Sequence, residues 1–107
     1  KALDLQINKV GNAGMIALSD TVGKGAMANL TFLNLRSNNI GNAGLTALSE
    51  ALGKGALPNL EYLSLSVNEF GDKGLCSLCE ALAMGALAKL EYLDLRRNRI
   101  GNPGMIR

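Results

Sequence analysis

The chain has 107 residues, of which 48% are hydrophobic and 19% charged, and its net charge is +2. That length suits one domain, and the balance is that of an ordinary folded domain slightly poor in charge. So small a positive charge gives no reason to expect a nucleic-acid or anionic-membrane partner, and no apolar run approaches the ~20 residues of a membrane span.

The elements repeat. The opening, ALDLQINKVGNAGM, is a pattern whose first Leu is missing. The complete pattern begins at Leu30 with LTFLNLRSNNIGNAGL. Leu33 and Leu35 alternate with Phe32, Asn34 and Arg36, which predicts a strand with one buried face. Asn38 follows the strand. Leu45, Leu48 and Leu52 then recur at i, i+3 and i+7, the buried stripe of a helix. Asn42 stands just before that stripe, where a side-chain oxygen is expected to cap free N–H groups of its own helix. Gly53 and Gly55 lie near the helix end, as do Gly23, Gly25 and Gly85 in theirs, where left-handed backbone is expected. The unit recurs as LEYLSLSVNEFGDKGL from Leu60, with Asp72 as the expected cap. It recurs again as LEYLDLRRNRIGNPGM from Leu90, with Asn102 as cap and Pro103 at the first helical position.

Successive units start at Leu30, Leu60 and Leu90, a constant interval of 30 residues. A strand half and a helix half at a fixed period of this length are the signature of a solenoid. The consensus L-x-x-L-x-L-x-x-N-x-(I/V/F)-G-(N/D)-x-G-(L/M) resembles the leucine-rich repeat family, at residues 30–40, 60–70 and 90–100 most closely. The helical continuation resembles the ribonuclease-inhibitor-like subfamily.

The resemblance implies an α/β leucine-rich-repeat solenoid, a right-handed horseshoe with parallel strands on the concave face and helices on the convex face. It divides the chain into coils at about 1–29, 30–59, 60–89 and 90–107, the last incomplete. It also implies that Asn8, Asn38, Asn68 and Asn98 satisfy turn amides of neighbouring coils. End coils of solenoids normally carry polar outward faces. This chain starts inside a strand and stops as a helix opens, so it reads as an interior piece of a longer protein and a component of a larger assembly.

Residues facing away from the core form columns across the coils. The first is Ala2, Phe32, Tyr62 and Tyr92; the second is Asp4, Asn34, Ser64 and Asp94. The third is Gln6, Arg36, Ser66 and Arg96; the fourth is Ile7, Ser37, Val67 and Arg97. Core columns hardly vary between coils, whereas these do, as a surface reading a non-repetitive partner would. Aromatic side chains are enriched at protein interfaces, so the partner-binding residues expected are Phe32, Asn34, Arg36, Tyr62, Ser64, Ser66, Tyr92, Asp94, Arg96 and Arg97. The same aromatic column could instead stabilise the sheet by cross-strand pairing. Arg36, Arg96, Arg97 and Arg99 make the concave face basic, with Asp94 partly neutralising it. Arginine forks suit carboxylates, so the expected partner is a protein, with an acidic surface as one form of it, rather than nucleic acid.

Catalysis is not expected. There is no His, which removes the commonest general base and metal ligand. Asp4 and Asp94 would lie three rungs apart, about 14 Å, too far for a glycosidase pair. Cys76 and Cys79 form a C-x-x-C, but no further Cys or His exists to complete a zinc site. They fall inside the repeat helix, where coils 1 and 2 have Ile16 with Ser19 and Thr46 with Ser49, so they read as small, partly buried packing residues. No cofactor or metal is called for. GNAG, GDKG and GNPG resemble an RNA-binding GXXG loop but recur once per coil as the strand-to-helix turn. GKGAM and GKGAL lack the Ser or Thr of a phosphate-binding loop. The lone Asn29-Leu30-Thr31 sequon reads as coincidence. The sparse cysteine usage fits a reducing compartment, hence an intracellular, cytoplasmic location.

The function expected is a non-catalytic interaction module or scaffold that binds a protein through the concave face and rim. The alternatives are a regulator of an enzyme, inhibitor-like or GTPase-activator-like, and a structural subunit of a large complex.

Overall fold

The structure, a computed structural model, describes residues 1–100. Strands and helices alternate: β1 (Ala2–Asp4), α1 (Gly11–Gly23), β2 (Phe32–Asn34), α2 (Asn42–Gly53), β3 (Tyr62–Ser64), α3 (Asp72–Ala83) and β4 (Tyr92–Asp94). The strands form one parallel sheet in the order β1-β2-β3-β4. The sequence period is the sheet register: Phe32 pairs with Tyr62 and Tyr62 with Tyr92. Backbone pairing runs on past the short strands, with Leu35 N–H donating to Ser64 O at 2.9 Å and Ser37 N–H to Ser66 O at 3.1 Å.

The helices pack side by side behind the sheet, α1 on α2 and α2 on α3. Packed helices need 8–10 Å between axes, whereas paired strands need about 4.8 Å. Successive coils therefore splay on the helix side, which leaves the sheet on the inside of the curve.

The core is what the periodicity requires. Leu33, Leu35, Leu63 and Leu65 from the strands meet Leu45, Leu48, Leu52 and Leu78 from the helices, all of them buried. Ile40 and Phe70, at the same position of successive coils, are wholly buried. Each large apolar side chain so enclosed contributes about 1.5–3 kcal/mol.

The helix starts differ from the sequence expectation. Asn42 does not cap its own helix: the N-cap of α2 is Gly41, and no side chain of its own coil bonds there. The cap comes from the preceding coil. Asn12 Oδ1 accepts the N–H groups of Gly41 and Gly44, both at 2.8 Å. Asn42 Oδ1 does the same for Gly71 and Gly74 of α3, at 2.8 and 2.9 Å. Asp72 likewise is the first residue of α3, after the N-cap Gly71, and its carboxylate meets the positive end of that helix dipole. The geometry explains the glycines. A Cβ at Gly44 would stand 2.7 Å from Asn12 Oδ1, and one at Gly74 2.9 Å from Asn42 Oδ1. The caps predicted at Asn102 and Pro103 lie outside the described residues.

At the helix ends the expectation divides. Gly25, Gly55 and Gly85 have φ of 94°, 99° and 96°. Gly23 and Gly53 are ordinary last residues of α1 and α2 and are not left-handed. Other left-handed positions are occupied by side chains without apparent fitness for them. Ile7, Ser37, Val67 and Arg97 have φ of 60°, 59°, 54° and 59°, one per coil, where the chain leaves the sheet. Met27, Leu57 and Leu87 form a second such set. Leu57 and Leu87 are buried, and that burial offsets a backbone cost of about 1–2 kcal/mol each.

Candidate functional site

The turns that follow the strands set the edge of the inner face, and an asparagine ladder fixes them. Asn38 Oδ1 accepts from the N–H groups of Asn8 and Val10 at 3.1 and 3.2 Å. Asn68 Oδ1 accepts from those of Asn38 and Ile40, both at 2.9 Å. The amide nitrogens donate the other way: Asn68 Nδ2 reaches the carbonyls of Leu35, Leu65 and Ser66. Asn98 Nδ2 reaches Leu65 O at 2.9 Å and Leu95 O at 3.1 Å. Asn38 and Asn68 are buried, so these bonds satisfy groups that water cannot reach.

On the inner face the aromatic column is a continuous stack. The rings of Phe32 and Tyr62 lie 4.3 Å apart at 8°, and those of Tyr62 and Tyr92 lie 4.8 Å apart at 11°. The parallel register forces this, because equivalent side chains of adjacent rungs point the same way at strand spacing. Stacking covers the ring faces but leaves the outer edges open. Phe32 and Tyr62 are half-buried and Tyr92 is 45% exposed.

The polar columns beside the stack are less available than the sequence reading had them. Ser64 and Ser66 are 2% and 5% exposed, and their hydroxyls are 3.2 Å apart. Asn34 and Asp94 are buried too, and each turns an oxygen to the N–H two residues on, of Arg36 at 3.0 Å and of Arg96 at 3.1 Å. These four side chains present little surface to solvent. They shape the floor of the face rather than offering contact area.

The charges also sort differently. Arg96 closes a two-pronged bond on Asp94, Nε to Oδ1 and Nη2 to Oδ2, both at 2.9 Å. That fork holds Asp94 below the usual carboxylate range against the opposing effect of burial, and the Arg96 backbone N–H and the Arg96 and Arg36 charges act in the same direction. The same bonds hold Arg96 above its ordinary value. Arg96 is therefore engaged within the chain. Arg36, Arg97 and Arg99 are exposed, and none of their guanidinium groups is in an ion pair with a described residue.

A row the sequence reading missed lies on the opposite side of the aromatic stack. Glu61 and Glu91, each one residue before its strand, are exposed and have no ion-pair partner among the described residues. Glu61 N–H donates to Thr31 O and Glu91 N–H to Glu61 O, both at 2.8 Å, so the row is in register. Tabulating the position before each aromatic would have exposed it. Along the strand direction the face runs acid, aromatic, base.

Among the described residues the outer face holds no comparable assembly. Shallow grooves of about 290 and 280 Å³ separate α1 from α2 and α2 from α3. Cys76 and Cys79 are both exposed, not partly buried, and both are free thiols. Ser19 and Ser49, the coil equivalents of Cys79, are buried because the next helix covers them, and no described helix packs beyond α3. No cluster able to hold a metal ion occurs among the described residues. No helix among them is long and apolar enough to cross a membrane.

Four stretches of the chain, residues 1–19, 26–49, 56–79 and 86–107, match the Leucine Rich repeat family model. They cover most of the sequence, and the chain belongs to the leucine-rich repeat family. The starts at 26, 56 and 86 reproduce the 30-residue interval of the sheet register. Repeats of this kind are in general protein-interaction modules and are typically non-catalytic. No curated protein matches the chain closely enough to count as a relative.

Proposed function

We propose that this protein is a non-catalytic binding module that takes a protein partner on the inner face of its sheet. The observation that carries this reading is the aromatic stack of Phe32, Tyr62 and Tyr92, left partly open on a rigid parallel sheet. Stacking by itself would serve sheet stability, but it also fixes the rings in place before any partner arrives. A preset apolar strip loses little side-chain entropy on binding. The unpaired guanidinium groups of Arg36 and Arg97 beside it favour a partner with carboxylates at that rim. Within the family, the 30-residue period with a helix of 12 or 13 residues in each of the first three coils supports the ribonuclease-inhibitor-like subfamily.

The test is capture of a partner by the protein and by a Tyr62→Ala/Tyr92→Ala/Arg97→Ala variant. All three positions are exposed or half-buried, so the variant is expected to keep the wild-type circular dichroism spectrum. Loss of capture with that spectrum retained is the expected result. Undiminished capture would assign binding to the helical face or the coil ends, as the structural-subunit reading has it.

A further inference from the structure

Among the described residues the sheet face combines ordered apolar area with unpaired charges of both signs.

We propose that the partner of this face is a protein surface with an apolar strip flanked by carboxylates on one side and by ammonium or guanidinium groups on the other. This deepens the reading that the sheet face binds protein, and rests on it. The argument is charge complementarity. Glu61 and Glu91 border the aromatic stack where the strands begin, and Arg36 and Arg97 border it where the strands end. The borders are about five residues apart along a strand, roughly 16 Å at 3.3 Å per residue. A helix, about 10–12 Å across with its side chains, or a short extended segment crossing the strands fits between these borders.

The remaining charges are consistent with this division. Asp94 is shielded and neutralised by Arg96 through the paired bonds. Glu69, an acid near the basic border, accepts a bond from Asn39 Nδ2 at 2.9 Å. Lys1 and Asp4 lie in the first coil, two rungs from Tyr62. The face thus carries opposite charges at the two ends of its strands and is not simply basic. A uniformly acidic partner would bring like charges against Glu61 and Glu91, and a uniformly basic one would meet Arg36 and Arg97. Opposed borders also fix which way round the partner lies.

The test selects binders from a displayed library of a small helical protein with one face randomised, using the 107-residue chain as target. Expected binders carry an apolar stripe with Asp or Glu on one flank and Lys or Arg on the other. Their affinity falls about tenfold at low salt for Arg36→Glu/Arg97→Glu, and similarly for Glu61→Lys/Glu91→Lys. Reversing the matching binder flank restores it. All four positions are exposed, so circular dichroism is expected to show unchanged folding. Binders that lose affinity for Tyr62→Ala/Tyr92→Ala yet have flanks of one sign, or ignore both reversals, would overturn the proposal and leave the sheet-face reading standing. Binders indifferent to the tyrosines, or no binders at all, would overturn both.

Discussion

Replacing Asn68 by Ala separates the asparagine ladder from ordinary polar decoration. Asn68 is 7% exposed. Its Oδ1 serves two N–H groups of the preceding coil, and its Nδ2 serves three carbonyls. In Asn68→Ala the N–H groups of Asn38 and Ile40 lose their acceptor in a site closed to water. Each such orphan costs about 1–3 kcal/mol. Of the carbonyls, Leu65 O also accepts from Asn98 and Ser66 O from the Ser37 N–H, whereas Leu35 O gives up the donor it had. Allowing for regained side-chain freedom, the loss comes to about 3–5 kcal/mol. Asn8 is the internal control. It is exposed, and its Nδ2 reaches only Leu5 O and Gln6 O on the open side of the first coil. Asn8→Ala is expected to cost about 1 kcal/mol or less. Urea unfolding followed by circular dichroism reads both. With an m-value of about 2 kcal/mol/M, Asn68→Ala lowers the midpoint by about 2 M and Asn8→Ala by less than about 0.5 M. Equal losses, or an Asn68→Ala cost below about 1 kcal/mol, would refute the claim that the ladder joins the coils.

Other substitutions follow from the same geometry. Asn42→Ala is expected to destabilise the chain by about 1–2 kcal/mol by uncapping α3, the helix of the next coil; hydrogen exchange that loosens the start of α2 instead of α3 would contradict the cap between coils. Gly74→Ala places a Cβ 2.9 Å from Asn42 Oδ1 and should lower the urea midpoint despite the better helix propensity of Ala. A raised midpoint would show that the cap yields at no cost. Val67 is β-branched at φ 54°, so Val67→Asn is expected to gain about 1 kcal/mol, and a lower melting temperature would count against the strain. The Asp94–Arg96 pair sets a pH dependence. Because the folded pKa of Asp94 lies below the ordinary value of 3.8, its contribution is complete above that value and is lost as pH falls through the lower folded value. Asp94→Asn should flatten that acid-side decline, and an unchanged decline would deny the pair its role.

The architecture was open to reading because every coil repeats the same physical choice. Leu33 and Leu63 could only be strand residues with one buried side, and the interval from Phe32 to Tyr62 to Tyr92 already contained the parallel register. The between-coil role of the asparagine ladder came with the family resemblance; what escaped was the cap that one coil lends to the next helix. Asn42 looks like a cap in sequence, yet the helix it caps begins 30 residues later. Local pattern cannot distinguish the two, since both put Asn ahead of a helix. Burial on the inner face escaped for a related reason. Ser64 and Ser66 alternate outward correctly, but such short side chains are buried there with their hydroxyls against one another. Cys79 was misread because its equivalents Ser19 and Ser49 are covered by a following helix, which no described element provides for α3. The acidic row of Glu61 and Glu91 was legible in principle, one position before the aromatic column.

The most direct measurement is photo-crosslinking from chosen positions. A benzophenone side chain is introduced at position 62 on the sheet face, and separately at position 47 in the groove between α1 and α2. The account predicts a discrete protein adduct from position 62 that is absent from position 47 and is suppressed by Tyr92→Ala/Arg97→Ala. An adduct that forms from position 47 and not from position 62 would contradict it and move the binding surface to the helices.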